Sequence, residues 1–185
     1  MARYVNMKSF VDSLEDMARH EADVADIQAY LNETLIERDA LDAYVRYRPE
    51  RYTRQLVHKS AAFEILVLCW GVGHRAPIHG HEGELCWARV ERGRLRFENF
   101  RLVSEQPLVL EPLGAPVDGA VGHVDGPADL HSVENPATFG APAVTVHIYS
   151  LPYDECDIYD IEHGTRRRVR MVYDTLALSA ADPSS

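Results

Sequence analysis

The sequence has few of the features that mark secreted, membrane-embedded or disulfide-stabilised proteins. Its three cysteines are an odd number without CxxC spacing, which argues against a disulfide framework and favours a reducing compartment. No apolar run reaches the length of a membrane span. Residues 1–10 also lack the charged-then-apolar form of a signal peptide. We therefore expect a cytoplasmic protein that makes no contact with a membrane.

Basic side chains are scarce as well, because 19 Lys and Arg stand against 29 Asp and Glu and give a formal net charge of −10. A chain this acidic is a poor partner for nucleic acid. The one basic cluster, within residues 166–170, is interpreted as a solvated strand face. The 185 residues contain no internal repeat and suit one domain, which we expect to be a monomer.

The N-terminal quarter of the chain has a helical pattern. Apolar residues recur at helical spacing between residues 7 and 46, with acidic residues between them. Asp23 stands where the N-cap of a second helix is expected, and Leu35 and Ile36 continue the apolar stripe of that helix. Pro49 closes the helical region.

From Tyr52 onward the pattern changes to short apolar or alternating runs that are separated by Gly and Pro. These runs are residues 63–70, 85–90, 95–102, 144–151 and 167–173. They predict a mainly β fold, a closed barrel or jelly roll, in which residues 114–127 are the least regular part. We expect one domain with helices in residues 1–48 packed on a barrel of residues 52–175, followed by a flexible tail at 176–185.

Two histidines separated by one residue, His79 and His81, are the first candidate metal ligands. Residues i and i+2 of a strand point to the same face, so both imidazoles can reach one metal ion. A second element follows in which Asn135 comes four residues after His131. Three imidazoles suit several transition metals. The alternative is two exposed loop histidines and a structural His131.

Gly73 precedes the first histidine element and Gly93 follows it. Together with these glycines, the two elements resemble the two metal-binding motifs of the cupin superfamily, which implies a cupin-type β-barrel. The common cupin pattern places a Glu ligand where this chain has Cys86, although Glu82 and Glu84 lie close enough to stay candidates. If neither binds, three neutral imidazoles leave the charge of a divalent ion uncompensated. Such a site favours an anionic ligand, for example a substrate thiolate.

Further stretches between about residues 52 and 173 resemble the cysteine dioxygenase family. They are Tyr52-Thr53-Arg54, Leu68-Cys69-Trp70-Gly71, Leu130-His131-Ser132-Val133-Glu134-Asn135 and Val146-His147-Ile148-Tyr149-Ser150. The resemblance implies an Fe(II) ion bound by His79, His81 and His131. It further implies that Arg54 binds the substrate carboxylate and that Tyr52 lies beside it.

The resemblance also implies a thioether cross-link between Cys86 and Tyr149, and a relay that runs from Thr145 through His147 to Tyr149. Thr145 stands where animal members have Ser, and Gly80 stands where they have Asp between the metal histidines. The three relay residues alternate along one predicted strand, so their side chains share a face. The alternative is a buried polar ladder that satisfies its own hydrogen bonds.

The expected function follows from the resemblance. It implies an enzyme that takes a small thiol substrate and O2, adds both oxygen atoms to the sulfur of L-cysteine and yields cysteine sulfinate. The planar fork of Arg54 matches a carboxylate, whereas a surface Arg paired with an acidic residue is the alternative. Another small thiol acid, such as 3-mercaptopropionate or mercaptosuccinate, is a second candidate substrate. A non-catalytic cupin that binds a small molecule is the third possibility.

Overall fold

The structure, a computed structural model, describes residues 3–175 and consists mainly of β-strands. The tail predicted at 176–185 lies outside the described residues. The helices are α1 (Met7–Arg19), α2 (Val24–Glu33) and α3 (Arg38–Asp42). The strands are β1 (Arg3–Val5), β2 (Thr34–Ile36), β3 (Thr53–Lys59), β4 (Phe63–Trp70), β5 (Arg75–His79), β6 (Cys86–Arg92), β7 (Arg94–Glu105), β8 (Leu108–Pro112), β9 (Val117–Ala120), β10 (Val124–Ala128), β11 (Leu130–Glu134), β12 (Ala143–Ser150), β13 (Glu155–Asp160) and β14 (Thr165–Arg170).

Two large sheets form the barrel. The first has the strand order β10-β6-β12-β4-β3, and the second has the order β14-β13-β5-β11-β7-β8, with β9 also paired to β7. All of these pairings are antiparallel, and most of them join strands that are not consecutive in the chain, as in a jelly roll. The prediction of a mainly β, cupin-type barrel with an N-terminal helical segment is confirmed. Within residues 3–175, no helix combines the length and the apolar character that a membrane crossing requires.

The five-stranded sheet is buried on both faces, because the helices cover its outer face and the second sheet covers its inner face. All eight residues of β4 are buried. Ile65 and Val67 pack with Phe10 of α1 on the helical side, whereas Leu66 and Leu68 contribute to the barrel interior. Burial on both faces explains why residues 63–70 are mostly apolar and do not alternate between apolar and polar types.

Side-chain caps fix the starts of the two longer helices. Asn6 Oδ1 accepts a hydrogen bond from the Ser9 N–H at the start of α1. Asp23 caps α2 and forms a reciprocal capping box with Asp26. The prediction that Asp23 begins the second helix is therefore confirmed.

The prediction that helix continues through Leu35 and Ile36 is wrong. Helix α2 ends at Glu33, and Thr34–Ile36 form the strand β2, which pairs in parallel with β1. All three residues of β2 are buried, and the Ile36 N–H donates to Glu91 Oε2 at 3.2 Å. Pairing with a distant strand and a buried carboxylate therefore outweighs the local helical pattern.

Residues 114–127 are more regular than the sequence suggested, because they include β9 and most of β10. Strand β10 is the edge of its sheet. Pro127 is tolerated there because an edge strand leaves backbone N–H groups unpaired in any case. Strand β10 also contributes a carboxylate, that of Asp125, to the barrel interior.

Arg89, which is fully buried, joins the barrel to the helical segment. Its guanidinium donates to Glu91 Oε1 at 2.6 Å and to the Thr34 carbonyl at 2.6 Å, and it lies 4.8 Å from the ring centroid of Phe10. Glu91 also accepts the Ile36 N–H, so the pair closes the junction between β2 and β6.

Replacement of Arg89 by Met is expected to lower the free energy of unfolding by about 3–5 kcal/mol, because Glu91 is left buried without its cation. The double variant Arg89→Met/Glu91→Leu should regain much of this loss, since it buries no unpaired charge. Urea unfolding followed by circular dichroism measures both variants. A single variant as stable as the double variant would contradict the assigned role.

Candidate metal centre and substrate pocket

His79, His81 and His131 converge inside the barrel. His79 is the last residue of β5, and its Cα partner on the neighbouring strand β11 is His131. Directly paired residues on adjacent strands bring their side chains together. One ring nitrogen from each of the three histidines lies within 4.8 Å of the others. The structure therefore brings together the three residues that the sequence nominated from two distant segments.

The prediction that His81 lies within a strand is wrong, because β5 ends at His79. Glu82 and Gly83 follow with φ angles of +61° and +81°, which turn the chain away from the sheet. His81 sits at the start of this turn, and its ring still meets that of His79 with 5.1 Å between their centroids.

Hydrogen bonds fix the orientation of the imidazoles. The Nδ1–H of His79 donates to the Pro77 carbonyl at 2.9 Å, and the Nδ1–H of His81 donates to the Ala128 carbonyl at 3.0 Å. With the proton on Nδ1, the lone pair resides on Nε2. The Nε2 atoms of His81 and His131 are buried and have no hydrogen-bond partner among the described residues. Buried acceptors that face one another in this way fit a metal ion.

Asp125 orients the third imidazole and was missed by the sequence analysis. Its Oδ2 accepts the Nδ1–H of His131 at 3.0 Å, and its Oδ1 accepts from Asn99 Nδ2 at 3.0 Å. Burial works against the carboxylate charge, but these hydrogen bonds hold the pKa of Asp125 below its ordinary value. Little in the sequence indicated this role, because Asp125 lies in the segment that was expected to be irregular.

The environment favours the neutral form of His79 and His81. Burial and the neighbouring His131 lower the pKa of His79 to about 3, and burial likewise places the pKa of His81 well below its ordinary value. Neutral imidazoles are the form that binds metal. No carboxylate or thiol belongs to this three-residue group within residues 3–175.

Glu82, which the sequence left open as a ligand, is engaged elsewhere. Both of its carboxylate oxygens accept from Arg168 of β14, at 2.6 and 2.7 Å. Strand β14 is exposed along almost its whole length, so the interpretation of the basic cluster as a solvated face is confirmed. The donor set is therefore three imidazole nitrogens without a protein anion.

Thr145, His147 and Tyr149 point to the barrel interior from β12 and form a hydrogen-bonded row. His147 Nε2 lies 3.0 Å from Thr145 Oγ1, and the Tyr149 hydroxyl lies 3.3 Å from His147 Nδ1. Trp70 Nε1–H donates to the same Thr145 oxygen at 2.9 Å. The Tyr149 ring lies 5.8 Å from that of His81, so the row ends beside the three imidazoles.

The row is neutral at ordinary pH. Burial raises the pKa of Tyr149 and places the pKa of His147 well below its usual value. Cys86 lies opposite Tyr149, as its Cα partner on β6, and is fully buried. Burial raises the pKa of the Cys86 thiol well above its usual range. A protonated phenol and a thiol therefore face each other across two adjacent strands.

Arg54 and Tyr52 lie at a cavity of about 240 Å³ that also includes His79. The Arg54 side chain is only 7% exposed, and its Nε has no hydrogen-bond partner among the described residues. Its Cζ lies 5.9 Å from the Tyr149 ring centroid. A buried guanidinium that lies near the imidazoles and has no carboxylate partner is suited to bind an anionic ligand.

Three aromatic or sulfur-bearing side chains near the site were not nominated from the sequence. Trp70 stacks on Tyr52 with 4.6 Å between ring centroids. Tyr153 packs edge-on against Tyr149 at 5.2 Å, and its buried hydroxyl has no partner within residues 3–175. Cys156 contributes to the cavity wall. Their residue types are common in cores, so only the fold indicates their proximity to the site.

A larger cavity, of about 560 Å³, includes Ile78, Phe100 and Tyr159 and shares Pro77 and Ile158 with the smaller one. None of the three imidazoles contributes to the larger cavity. We assign the functional site to the smaller cavity, because it is lined by the unpaired guanidinium of Arg54 and by His79 of the three-histidine cluster.

Comparison with known proteins agrees with this geometry. The model of the family described as cysteine dioxygenase type I matches residues 3–162. Cysteine dioxygenase type 1 of Homo sapiens is 28% identical over 165 residues, which cover 84% of this chain and 79% of the human protein. The Rattus norvegicus protein of the same name is 28% identical over 162 residues, which cover 86% and 80% of the two chains.

Among solved structures, an uncharacterised protein with a double-stranded β-helix domain from Klebsiella pneumoniae aligns with 60% of this chain and 81% of its own length, at 17% identity and a TM-score of 0.47. The family model matches a larger part of the chain, residues 3–162. That part includes all three imidazoles, Arg54 and the row on β12. Because the family model matches most of its length, the chain belongs to the cysteine dioxygenase type I family.

Proposed function

We propose that this protein is a thiol dioxygenase that adds both atoms of O2 to the sulfur of L-cysteine and yields cysteine sulfinate. His79, His81 and His131 would hold an Fe(II) ion as its cofactor. The observation that carries the proposal is the convergence of three imidazoles, two of them with buried and unpartnered Nε2 atoms, beside an unpaired guanidinium.

Iron, when bound, supplies the redox chemistry that joins O2 to a thiolate sulfur. The protein supplies three neutral donors, which leave the charge of a divalent ion uncompensated and so favour an anionic sulfur donor. The apolar interior around Leu66 and Leu68 limits the access of water. Exclusion of water strengthens every electrostatic contact inside the site.

Arg54 binds the carboxylate of the substrate. Its planar fork presents paired N–H donors that match two carboxylate oxygens, and burial makes this contact stronger than at the surface. Tyr52, held by its stacking on Trp70, forms the adjoining wall of the cavity. Together they orient the thiol end of the substrate toward the imidazoles.

Tyr149 holds a proton beside the imidazoles, and His147 fixes the direction of that proton. The hydroxyl donates to His147 Nδ1, whose Nε2–H then donates to Thr145 Oγ1. In the opposite arrangement the His147 Nδ1–H donates to the Tyr149 oxygen and the Thr145 hydroxyl donates to His147 Nε2, which leaves the phenol proton free to donate toward the imidazoles.

Anaerobic loading with Fe(II), followed by addition of cysteine in oxygenated buffer, tests the proposed function. We expect O2 uptake and cysteine sulfinate, identified by mass spectrometry, in equal amounts. Protein loaded with Zn(II) is the control, because zinc accepts the same donors but has no redox chemistry. Iron-loaded protein that forms no sulfinate would reject the proposal.

Replacement of Asp125 by Ala is expected to reduce metal affinity by about 10–100-fold, because His131 loses the acceptor that fixes its tautomer and its ring orientation. Competition with a chelator of known affinity measures the change. Asp160→Ala is a matched control, since Asp160 pairs with the exposed His163 and does not line the cavity. Equal metal affinity in wild type and Asp125→Ala would contradict the role.

A covalent bond between Cys86 Sγ and the Tyr149 ring carbon next to the hydroxyl is part of the proposal. Formation of this C–S bond removes one S–H and one C–H hydrogen, and O2 accepts the two electrons. Support comes from the register that makes the two residues direct cross-strand partners.

After turnover, we expect part of the protein to be lighter by two hydrogens in intact mass spectrometry. Cys86→Ser protein should keep its sequence mass under the same treatment. Wild-type protein whose mass stays unchanged after many turnovers would exclude the cross-link.

A further inference from the structure

Asp174 lies behind the proposed substrate-binding strand and binds three arginines at once. Its carboxylate accepts from both terminal nitrogens of Arg51, at 2.6 and 3.0 Å, and lies 3.2 Å from Arg48 Nε. It also accepts the backbone N–H of Arg54 at 2.9 Å. The Asp174 side chain is only 5% exposed. Burial opposes its charge, but the hydrogen bonds from Arg51 and Arg54 keep the pKa of Asp174 below its ordinary value.

Two guanidinium groups therefore lie at the same cavity in different states. Arg51 and Arg54 both contribute to the cavity of about 240 Å³ that includes His79. The fork of Arg51 is occupied by Asp174, whereas the described residues provide no carboxylate for the fork of Arg54. A ligand that enters the cavity meets one guanidinium without a carboxylate partner and one whose terminal nitrogens are already bound to Asp174.

We propose that Asp174 determines the substrate class, because its occupation of Arg51 restricts the site to thiols with a single carboxylate. The proposal rests on the proposed function, in which Arg54 binds the first carboxylate. A second carboxylate on the substrate finds its natural partner, Arg51, already paired. The negative charge of Asp174 also offsets part of the attraction that Arg51 would exert on that carboxylate.

The test compares mercaptosuccinate with 3-mercaptopropionate, because the first thiol has one carboxylate more than the second. Both thiols are titrated into Zn(II)-loaded protein by calorimetry and assayed as substrates of the Fe(II)-loaded enzyme. Wild-type protein should prefer 3-mercaptopropionate in both measurements. Asp174→Asn, which keeps an oxygen acceptor for the Arg54 N–H but removes the charge, should shift the ratio of affinities toward mercaptosuccinate by about tenfold.

The double variant Asp174→Asn/Arg51→Gln is the matched control, and it should return the ratio to the wild-type value. A ratio that stays constant in Asp174→Asn, with both affinities falling together, would mean that Asp174 only supports the backbone of Arg54, and would overturn the proposal. So would a wild-type protein that binds both thiols equally well. Because the zinc form performs no oxidation, its affinity ratio is measured even if the iron form oxidises neither thiol.

Discussion

Replacement of His131 by Ala is expected to abolish O2 uptake with cysteine and to reduce iron affinity by more than about a hundredfold. Loss of a hydrogen bond that only orients a ligand costs about 10–100-fold, and here a donor atom itself is lost. The remaining pair, His79 and His81, offers two nitrogens from one turn of chain. The change also leaves Asp125 buried without its imidazole partner.

Iron content after anaerobic loading and gel filtration measures the effect, together with O2 uptake. His163→Ala is the control, because His163 is an exposed histidine paired with Asp160. His131→Gln separates metal loss from misfolding, since its amide can still donate to Asp125. If His131→Ala or His131→Gln binds iron as tightly as wild type, the assignment of this imidazole as a ligand is wrong.

Replacement of Arg54 by Gln should lower kcat/KM for cysteine by roughly 30-fold to 4,000-fold, which corresponds to a loss of about 2–5 kcal/mol for a buried charged hydrogen-bonded pair. The loss should appear mainly in KM, because the carboxylate is bound in the ground state and in the transition state alike. Arg54→Lys should lose less, since it keeps the charge without the planar fork.

Cysteamine provides the internal control for Arg54, because it has the thiol and the amine of cysteine but no carboxylate. Wild type and Arg54→Gln should oxidise cysteamine at similar, low rates. An equal loss of activity toward both thiols would assign Arg54 a structural role in β3. Denaturant unfolding of the variant completes the comparison, and we expect no destabilisation, since the variant removes a buried charge that has no carboxylate partner.

Several parts of the fold followed from local sequence. Helix α1 and the start of α2 depend on apolar spacing and on the Asp23 cap, which act within a few residues of chain. Strands β4 and β12 were evident because apolar residues dominate the first and alternate with polar residues in the second. Thr34–Ile36 were misassigned because their conformation depends on β1 and on Glu91, which lie 31 and more residues away.

The site divides in the same way. The two histidine elements and Arg54 were recognisable from residue type, spacing and resemblance. Asp125 and Asp174 were not, since a single aspartate in a loop-like segment gives no local indication of its partner. Asp174 reaches Arg51 across 123 positions, and only the closure of the barrel brings them together.

The sequence by itself determined the fold class, the chemical nature of the candidate ligands and the presence of a guanidinium suited to a carboxylate. The tertiary structure alone decided that His131 is the cross-strand partner of His79, which carboxylate orients it, and which arginine at the cavity is left unpaired. The reason is physical: side-chain chemistry and short-range periodicity are properties of neighbouring residues, whereas register and charge pairing arise only when distant strands share a sheet.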